Sequence, residues 1–195
     1  MNVKKLFGFS QLIGAFQKVD RVVYIPGTDR NENDVEHSYH IALIAWYLIV
    51  SEKIDLDLNL VLKYALVHDL VEVYAGDTFV FSKDVAHKES KHAREAAAAK
   101  RLGVEFPEFP DMHTLIEEYE KRESREAKFV YALDKILPIL MVYEDGGRVW
   151  KEHGVTLERI KQEKLEKVSL SPEIAAYFDE LIELLTREQE TLFAD

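Results

Sequence analysis

The sequence predicts an all-α, single-domain helical bundle, on three observations. Glycine and proline are scarce, 8 and 5 in 195 residues, so few positions break a helix. Apolar residues recur at helical spacing through most of the chain. No stretch shows the sustained alternation of a half-buried strand; Val22-Val23-Tyr24-Ile25 is the best candidate, and it is short. A length of 195 residues suits one domain with a real core, spanning residues 1–195, and no low-complexity linker divides it.

The elements follow in order. Leu6, Phe9, Leu12, Ile13 and Phe16 share one helical face. Lys4 and Lys5 precede this stretch, but Gln11 interrupts it and no small-residue cleavage site follows, so it reads as a core helix and not a signal peptide. Residues 20–33 read as a loop with a turn at Pro26-Gly27. Asn33, with Glu36 three residues on, has the form of a capping box and opens a helix to about residue 51. The next helix is expected from about residue 58 to 74, stopped by Gly76. After a loop over residues 77–86 comes a helix with an alanine-rich centre, about 87–102. Pro107 and Pro110 mark another loop. Further helices are expected at about 111–120, 124–144, 156–167 and 172–193, with Pro172 suited to a first turn. Ile174, Tyr177, Phe178, Leu181, Ile182 and Leu185 of the last helix either close the core or pair with a second subunit.

Composition narrows the chemistry. There are no cysteines, which excludes disulfides, thiolate metal sites and cysteine nucleophiles and leaves His, Asp and Glu as metal ligands. A formal net charge of -11 repels a nucleic-acid polymer, while a small anion needs only a local positive site. The longest apolar run, residues 41–50, is too short to span a bilayer, so no membrane role and a cytoplasmic location are expected.

Ligand-type residues interrupt the apolar pattern at three places. They are His37 at the start of the second helix, His68-Asp69 in Ala65-Leu66-Val67-His68-Asp69-Leu70-Val71-Glu72, and Asp134 in Phe129-Val130-Tyr131-Ala132-Leu133-Asp134-Lys135. An imidazole beside a carboxylate is costly to bury without compensation. Taken singly, His37 also suits a satisfied core histidine, and Asp134 a buried partner of an arginine. His68 and Asp69 are harder to place so, because neighbours on a helix point about 100° apart and cannot both reach water from a buried helix. If three helices converge here, two imidazoles and two carboxylates form a set for a divalent metal with positions left for water. Glu72, four residues after His68, shares that face and suits acid–base work, or is a common surface glutamate. Asp77, just past Gly76, is a second acid or an ordinary loop residue.

Together His37…His68-Asp69…Asp134 resembles the ordered His, His-Asp, Asp pattern of the HD-domain metal-dependent phosphohydrolases. The segments Asn33-Asp34-Val35-Glu36-His37-Ser38, His68-Asp69-Leu70-Val71-Glu72-Val73-Tyr74-Ala75-Gly76-Asp77 and Ala132-Leu133-Asp134-Lys135 resemble its bacterial 5′-deoxynucleotidase branch. The resemblance runs from about residue 20 to 145, and the C-terminal helices over about 155–193 carry no matching motif. It implies one divalent metal (Mn, Co, Mg, Zn, Ni or Fe) held by His37, His68, Asp69 and Asp134. It implies hydrolysis of a small phosphomonoester, foremost a (deoxy)nucleoside 5′-monophosphate, by metal-activated water. Glu72 matches the carboxylate that helps activate that water, and Asp77 a second active-site acid. An arginine in the loop before the first histidine grips the phosphate in the family; Arg21 is the better positional match, Arg30 the alternative. Val22 stands where an aromatic residue often follows that arginine, and the loop from Tyr24 to Glu32 is longer than usual, so the substrate side departs from the pattern. The resemblance also favours a homodimer. Two further readings stand beside it. One is nucleoside triphosphate or cyclic-nucleotide hydrolysis. The other is a non-catalytic nucleotide-sensing or scaffold protein that keeps the metal.

The remaining histidines read as follows. His40 suits a core or hydrogen-bonding role. His87 and His92 stand where two-metal enzymes of this type carry extra ligands, but their Lys- and Glu-rich setting reads as a solvated helix face. His113 and His153 read as surface residues, and the Glu/Lys run over residues 158–167 as a solvated amphipathic face.

Overall fold

A computed structural model describes residues 2–194. The elements run α1 (Val3–Phe16), β1 (Asp20–Tyr24), β2 (Asn31–Asn33), α2 (Asp34–Ser51), α3 (Leu58–Val67), α4 (Glu72–Ala75), α5 (Val85–Glu105), α6 (Pro110–Lys121), α7 (Arg125–Glu144), α8 (Arg148–His153), α9 (Leu157–Val168), α10 (Pro172–Arg187) and α11 (Gln189–Leu192). The expected helical bundle is what forms. Its axis is α7, which is buried along most of its length and touches α2, α3, α6, α8, α9 and α10. The main core gathers around it. A second cluster, from α1, α4, α5 and α6, packs beside it through Leu12, Phe16, Leu70, Leu102 and Met112. Ile174, Phe178, Leu181 and Leu185 of α10 are buried, so that face closes the core.

Four departures from the sequence reading matter, and three of them bear on the site. Residues 20–33 form an antiparallel hairpin, not a loop: Asp20 pairs with Asn33 and Tyr24 with Asn31. Its turn needs Gly27 at φ +75. The strand Asn31-Glu32-Asn33 has no β propensity to betray it; its partners stabilise it, since the Asn31 amide donates to the Arg21 carbonyl (2.6 Å) and Glu32 is buried against Arg21 and His37.

The helix expected over residues 58–74 stops at Val67. His68 is its C-cap, residues 68–71 turn, and the four-residue α4 follows. His68 itself accounts for the break. Its Nδ1 lies 2.9 Å from the Ala65 carbonyl, the acceptor that Asp69 N–H would otherwise use in a continued helix. The following amides bond three residues back, Glu72 N–H to the Asp69 carbonyl at 2.8 Å. The turn lets neighbours that a helix would splay apart aim at one point, with His68 Nε2 3.1 Å from Asp69 Oδ2.

Pro138 lies inside α7, where it deprives the Asp134 carbonyl of its helical donor at the very residue that reaches the site. The fourth departure is at the C-terminus, where α8 is a short helix between Gly147 and Gly154 that periodicity did not reveal, and α10 and α11 divide the expected last helix.

Candidate metal centre and active site

Each ligand candidate is carried by a locally determined element. The capping box forms as read: Asn33 Oδ1 accepts from the Val35 and Glu36 amides, both at 3.1 Å, and Glu36 Oε2 accepts from the Asn33 amide at 3.1 Å. It places His37 in the first turn of α2, fully buried. The turn after α3 supplies His68 and Asp69, and α7 supplies Asp134. One ligand atom from each of His37, His68, Asp69 and Asp134 lies within 4.8 Å of all the others. His37 Nε2 is 3.0 Å from Asp134 Oδ1 and 4.0 Å from Asp69 Oδ2.

The donor set fits a divalent metal on the state of its rings. The Ala65 carbonyl can only accept, so His68 carries a proton on Nδ1 and turns Nε2 inward. Burial lowers its pKa, but Asp69 and Asp134 more than offset this and raise it, so a cation at Nε2, a proton or a metal, is favoured there. That Nε2 is buried and makes no well-aligned hydrogen bond. His37 has the same polarity: Nδ1 faces Glu32 Oε2 at 3.2 Å, which leaves Nε2 for the centre. A carboxylate behind a ligand histidine fixes its tautomer and raises its basicity. Burial alone would raise the Glu32 pKa, yet His37, His40 and the Arg21 charge hold it down at about 2. Imidazole and carboxylate donors together suit a borderline-to-hard divalent ion.

Charged groups surround this centre. Arg21 Nη1 donates to Asp34 Oδ1 (3.1 Å) and Asp69 Oδ2 (2.9 Å), and its Nε lies 3.6 Å from Glu32. Burial opposes its charge, but Asp69, Asp77, Asp134 and Asp34 more than offset this and raise its pKa well above the usual value. Glu72 is buried, with Oε1 accepting from Lys91 Nζ at 3.1 Å and Oε2 without a partner. Burial first, then the Asp69 charge, push its pKa well up, against the pull of Lys91. Asp134 also accepts from Lys135.

Two adjoining cavities open on the centre. The larger, about 430 Å³, is bordered by His68, Asp69, Asp134 and a rim that includes Lys91, His92 and Lys164. The narrower, about 100 Å³, runs past Arg21, Glu72 and Asp77 to an apolar end at Phe79, Val149 and Trp150. A buried set of four candidate metal ligands with a buried carboxylate beside it, opening on a cavity lined by both cations and carboxylates, has parts that phosphate-ester hydrolysis needs.

The structure therefore brings Arg21, His37, His68, Asp69, Glu72, Asp77 and Asp134 to one site. Arg30 is elsewhere: it is a 60% exposed side chain paired with Glu36 on the hairpin turn side. Among the described residues, His87 and His92 do not join the four-ligand cluster. His87 faces Arg94 and Thr78, and His92 lines the larger cavity. Their helix is more than a solvated face, since Lys91 points inward to Glu72. His40 is partly exposed, 3.9 Å from Glu32. His113 is half-buried against the Phe106 carbonyl and His153 packs on Phe79, so neither is simply a surface residue.

Sequence reasoning missed Glu32, Asp34, Lys91 and Lys164. Glu32 carries no local signal, because its role depends on the hairpin. Lys164 carried one: in α9 the buried positions are Leu157, Ile160, Lys164 and Val168, so a lysine occupies an apolar stripe of a run that read as solvated.

A family model described as HD domain matches residues 13–175. The chain belongs to the HD-domain family. Among curated proteins, this HD-domain chain is 35% identical over 147 residues to the 5′-deoxynucleotidase HDDC2 of Homo sapiens, covering 73% of this chain and 70% of that protein. It is 29% identical over 171 residues to the 5′-deoxynucleotidase YGK1 of Saccharomyces cerevisiae, covering 80% and 77%. Among solved structures, a predicted metal-dependent phosphohydrolase from Magnetospirillum magnetotacticum MS-1 superposes with a TM-score of 0.81 at 32% identity, over 99% of this chain and 98% of that one. The match to the whole of that structure includes the C-terminal helices, where no motif was legible.

Proposed function

We propose that this HD-domain protein is a metal-dependent phosphohydrolase of (deoxy)nucleoside 5′-monophosphates. The observation that carries the reading is the convergence of His37, His68, Asp69 and Asp134 within 4.8 Å, beside a buried, partly unpartnered Glu72. The relatives named 5′-deoxynucleotidases support the substrate class.

In this reading His37, His68, Asp69 and Asp134 hold one divalent ion drawn from Mn, Co, Mg, Zn, Ni and Fe. When bound, the ion neutralises phosphate oxygens and lowers the pKa of water from about 15.7 toward 7. The chain does the rest. Arg21 spends Nη1 on Asp34 and Asp69 and keeps Nη2 for a phosphate oxygen, its plane fixed by Glu32. Glu72 exchanges the proton of the attacking water. Burial and then the Asp69 charge favour its neutral form, and Lys91 favours its charged form. Asp77, on the same cavity wall, is the second acid. The apolar end at Phe79 and Trp150 suits a base or sugar face and takes the place of the aromatic residue absent at Val22.

No helix of the described residues is long and apolar enough to cross a membrane. A cytoplasmic location accords with the substrate class. A homodimer accords with α2, whose outer stripe of Tyr39, Leu43, Trp46, Tyr47 and Val50 is 43% to 69% exposed.

A second reading is triphosphate or cyclic-nucleotide hydrolysis, which the lysines lining the larger cavity favour and the carboxylates beside them oppose. Phosphate release measured over mono-, di-, tri- and cyclic nucleotides, with each metal in turn, decides among these. Monophosphate turnover alone is expected. Release from triphosphates only would favour the second reading, and no release from metal-loaded protein would favour a sensing or scaffold role. The ligand assignment has its own check: His68→Ala and Asp134→Ala should each lose bound metal by elemental analysis, and full metal content in both would sink it.

A further inference from the structure

Lys164 is the only lysine or arginine among the described residues that is buried as a whole residue, at 6% exposure. It stands on the core face of α9 between Ile160 and Val168, where the helix packs on α7. Every other cation of the inner site is paired. Arg21 meets Glu32, Asp34 and Asp69; Lys91 meets Glu72 and Glu95; Lys135 meets Asp134. Lys164 has no carboxylate within 4.0 Å and donates no hydrogen bond to a described residue; its Nζ lies 5.8 Å from the centroid of the Phe81 ring, and its side chain borders both cavities. Its own helical neighbour Lys167 is paired with Glu163, and Lys135 adds positive charge from α7. Burial, then Lys135 and Lys167, depress its pKa to about 7, with Asp134 pulling the other way. An unpaired cation on a core face is expensive to keep. A methionine or leucine there would continue the Leu157, Ile160, Val168 stripe at no such cost. A distant aromatic ring compensates it only weakly, and an anion reaching it through the cavity, near Asp134, would do so fully.

We propose that Lys164 is a phosphate-binding residue of the active site, contributed by the C-terminal α9, and that it contacts the phosphoryl group opposite Arg21. This rests on the phosphohydrolase reading. Arg21 approaches from the hairpin through the narrower cavity, and Lys164 from α9 where the two cavities meet. A phosphoryl group between them would meet a planar guanidinium on one side and a point charge on the other. A small monoanionic ligand would gain little from a second buried cation, whereas a phosphate dianion would gain most, so the site is tuned to a terminal phosphate.

Titration calorimetry of metal-loaded protein with inorganic phosphate is the test, run on wild type and Lys164→Met, with metal content and Tm measured on both. A charge-assisted hydrogen bond lost from the site should weaken phosphate binding about ten- to hundredfold and raise KM for the monophosphate, with metal content unchanged. The Tm of the metal-free variant should equal or exceed that of wild type, which a merely structural lysine would not give. Lys164→Gln replaces the methionine variant if the latter fails to fold. Phosphate affinity within twofold of wild type overturns the proposal, as does a loss of metal with phosphate affinity per loaded site unchanged. Absence of turnover on every phosphomonoester would instead count against the phosphohydrolase reading, and phosphate binding would still decide the role of Lys164.

Discussion

At His68 the ring Nδ1 takes the Ala65 carbonyl, ends α3, and leaves Nε2 facing His37, Asp69 and Asp134. One side chain thus sets its own tautomer and the backbone turn that brings Asp69 alongside. Glu32 does the corresponding work for His37 from a strand with no sequence signal. Removing its charge while keeping its shape should therefore weaken the centre without dismantling it. Glu32→Gln is expected to lower metal affinity about 10–100-fold, read by competition with a chelating dye, and also to lower the Tm of the metal-free protein, because the same charge compensates buried Arg21. Lys164 has a pH signature. Its folded pKa of about 7 lies below the usual lysine value of 10.5, with Asp134 and Lys135 of α7 and Glu163 and Lys167 of α9 facing it. Between those values the unfolded chain binds a proton that the folded chain lacks, so its contribution to stability rises with pH. The stability of Lys164→Met should exceed that of wild type near pH 7, and the gap should close toward pH 10, measured by denaturant unfolding across that range.

Among the elements, α2 shows a local signal that was enough. Asn33 and Glu36 read as a capping box from spacing alone, and the structure has both of its hydrogen bonds. Asn33→Ala should cost about 1 kcal/mol in urea unfolding and disorder the turn that carries His37, with a measurable loss of metal affinity. The junction before α8 is the opposite case. Gly147 has φ +76, and a Cβ there would lie 1.9 Å from the Leu192 carbonyl oxygen of α11. Gly147→Ala should cost at least about 2 kcal/mol, seen as a lowered Tm, because the contact is backbone and cannot swing aside. Nothing in the sequence near Gly147 announces Leu192, since the two meet only when the chain end folds back. The hairpin at residues 20–33 escaped for a related reason: the pairing that makes Asn31–Asn33 a strand is with Arg21 and its neighbours, not within the segment. Periodicity recovered the longer helices because burial on one face repeats every turn. It overran at residues 68–71 because a turn closed by side-chain bonding keeps the apolar pattern of the helix it interrupts.

For the whole molecule, the remaining free surface is as informative as the core. The face of α10 that read as either core or interface is spent on the core, and the unpartnered apolar stripe lies on α2. If that stripe is the homodimer contact, Trp46→Glu should shift the protein from dimer to monomer in sedimentation velocity. A wild type that sediments as a monomer at micromolar concentration would remove the homodimer from the proposed function.

The sequence by itself determined the helical bundle and marked the four ligand candidates, while Glu72 and Asp77 gained their acid roles only through the family resemblance. The bundle and the ligand candidates follow from repeating burial and from residue types too costly to place in an apolar helix without a partner. Only the tertiary structure decided that His68 and Asp69 share a turn, that Glu32 backs His37, that Arg30 stands apart, and that Lys164 enters from a helix with no motif. The physical reason is distance along the chain. Glu32 meets His37 and Arg21, His37 meets Asp134, and Lys164 feels Asp134 and Lys135 only because the fold brings together segments far apart in sequence.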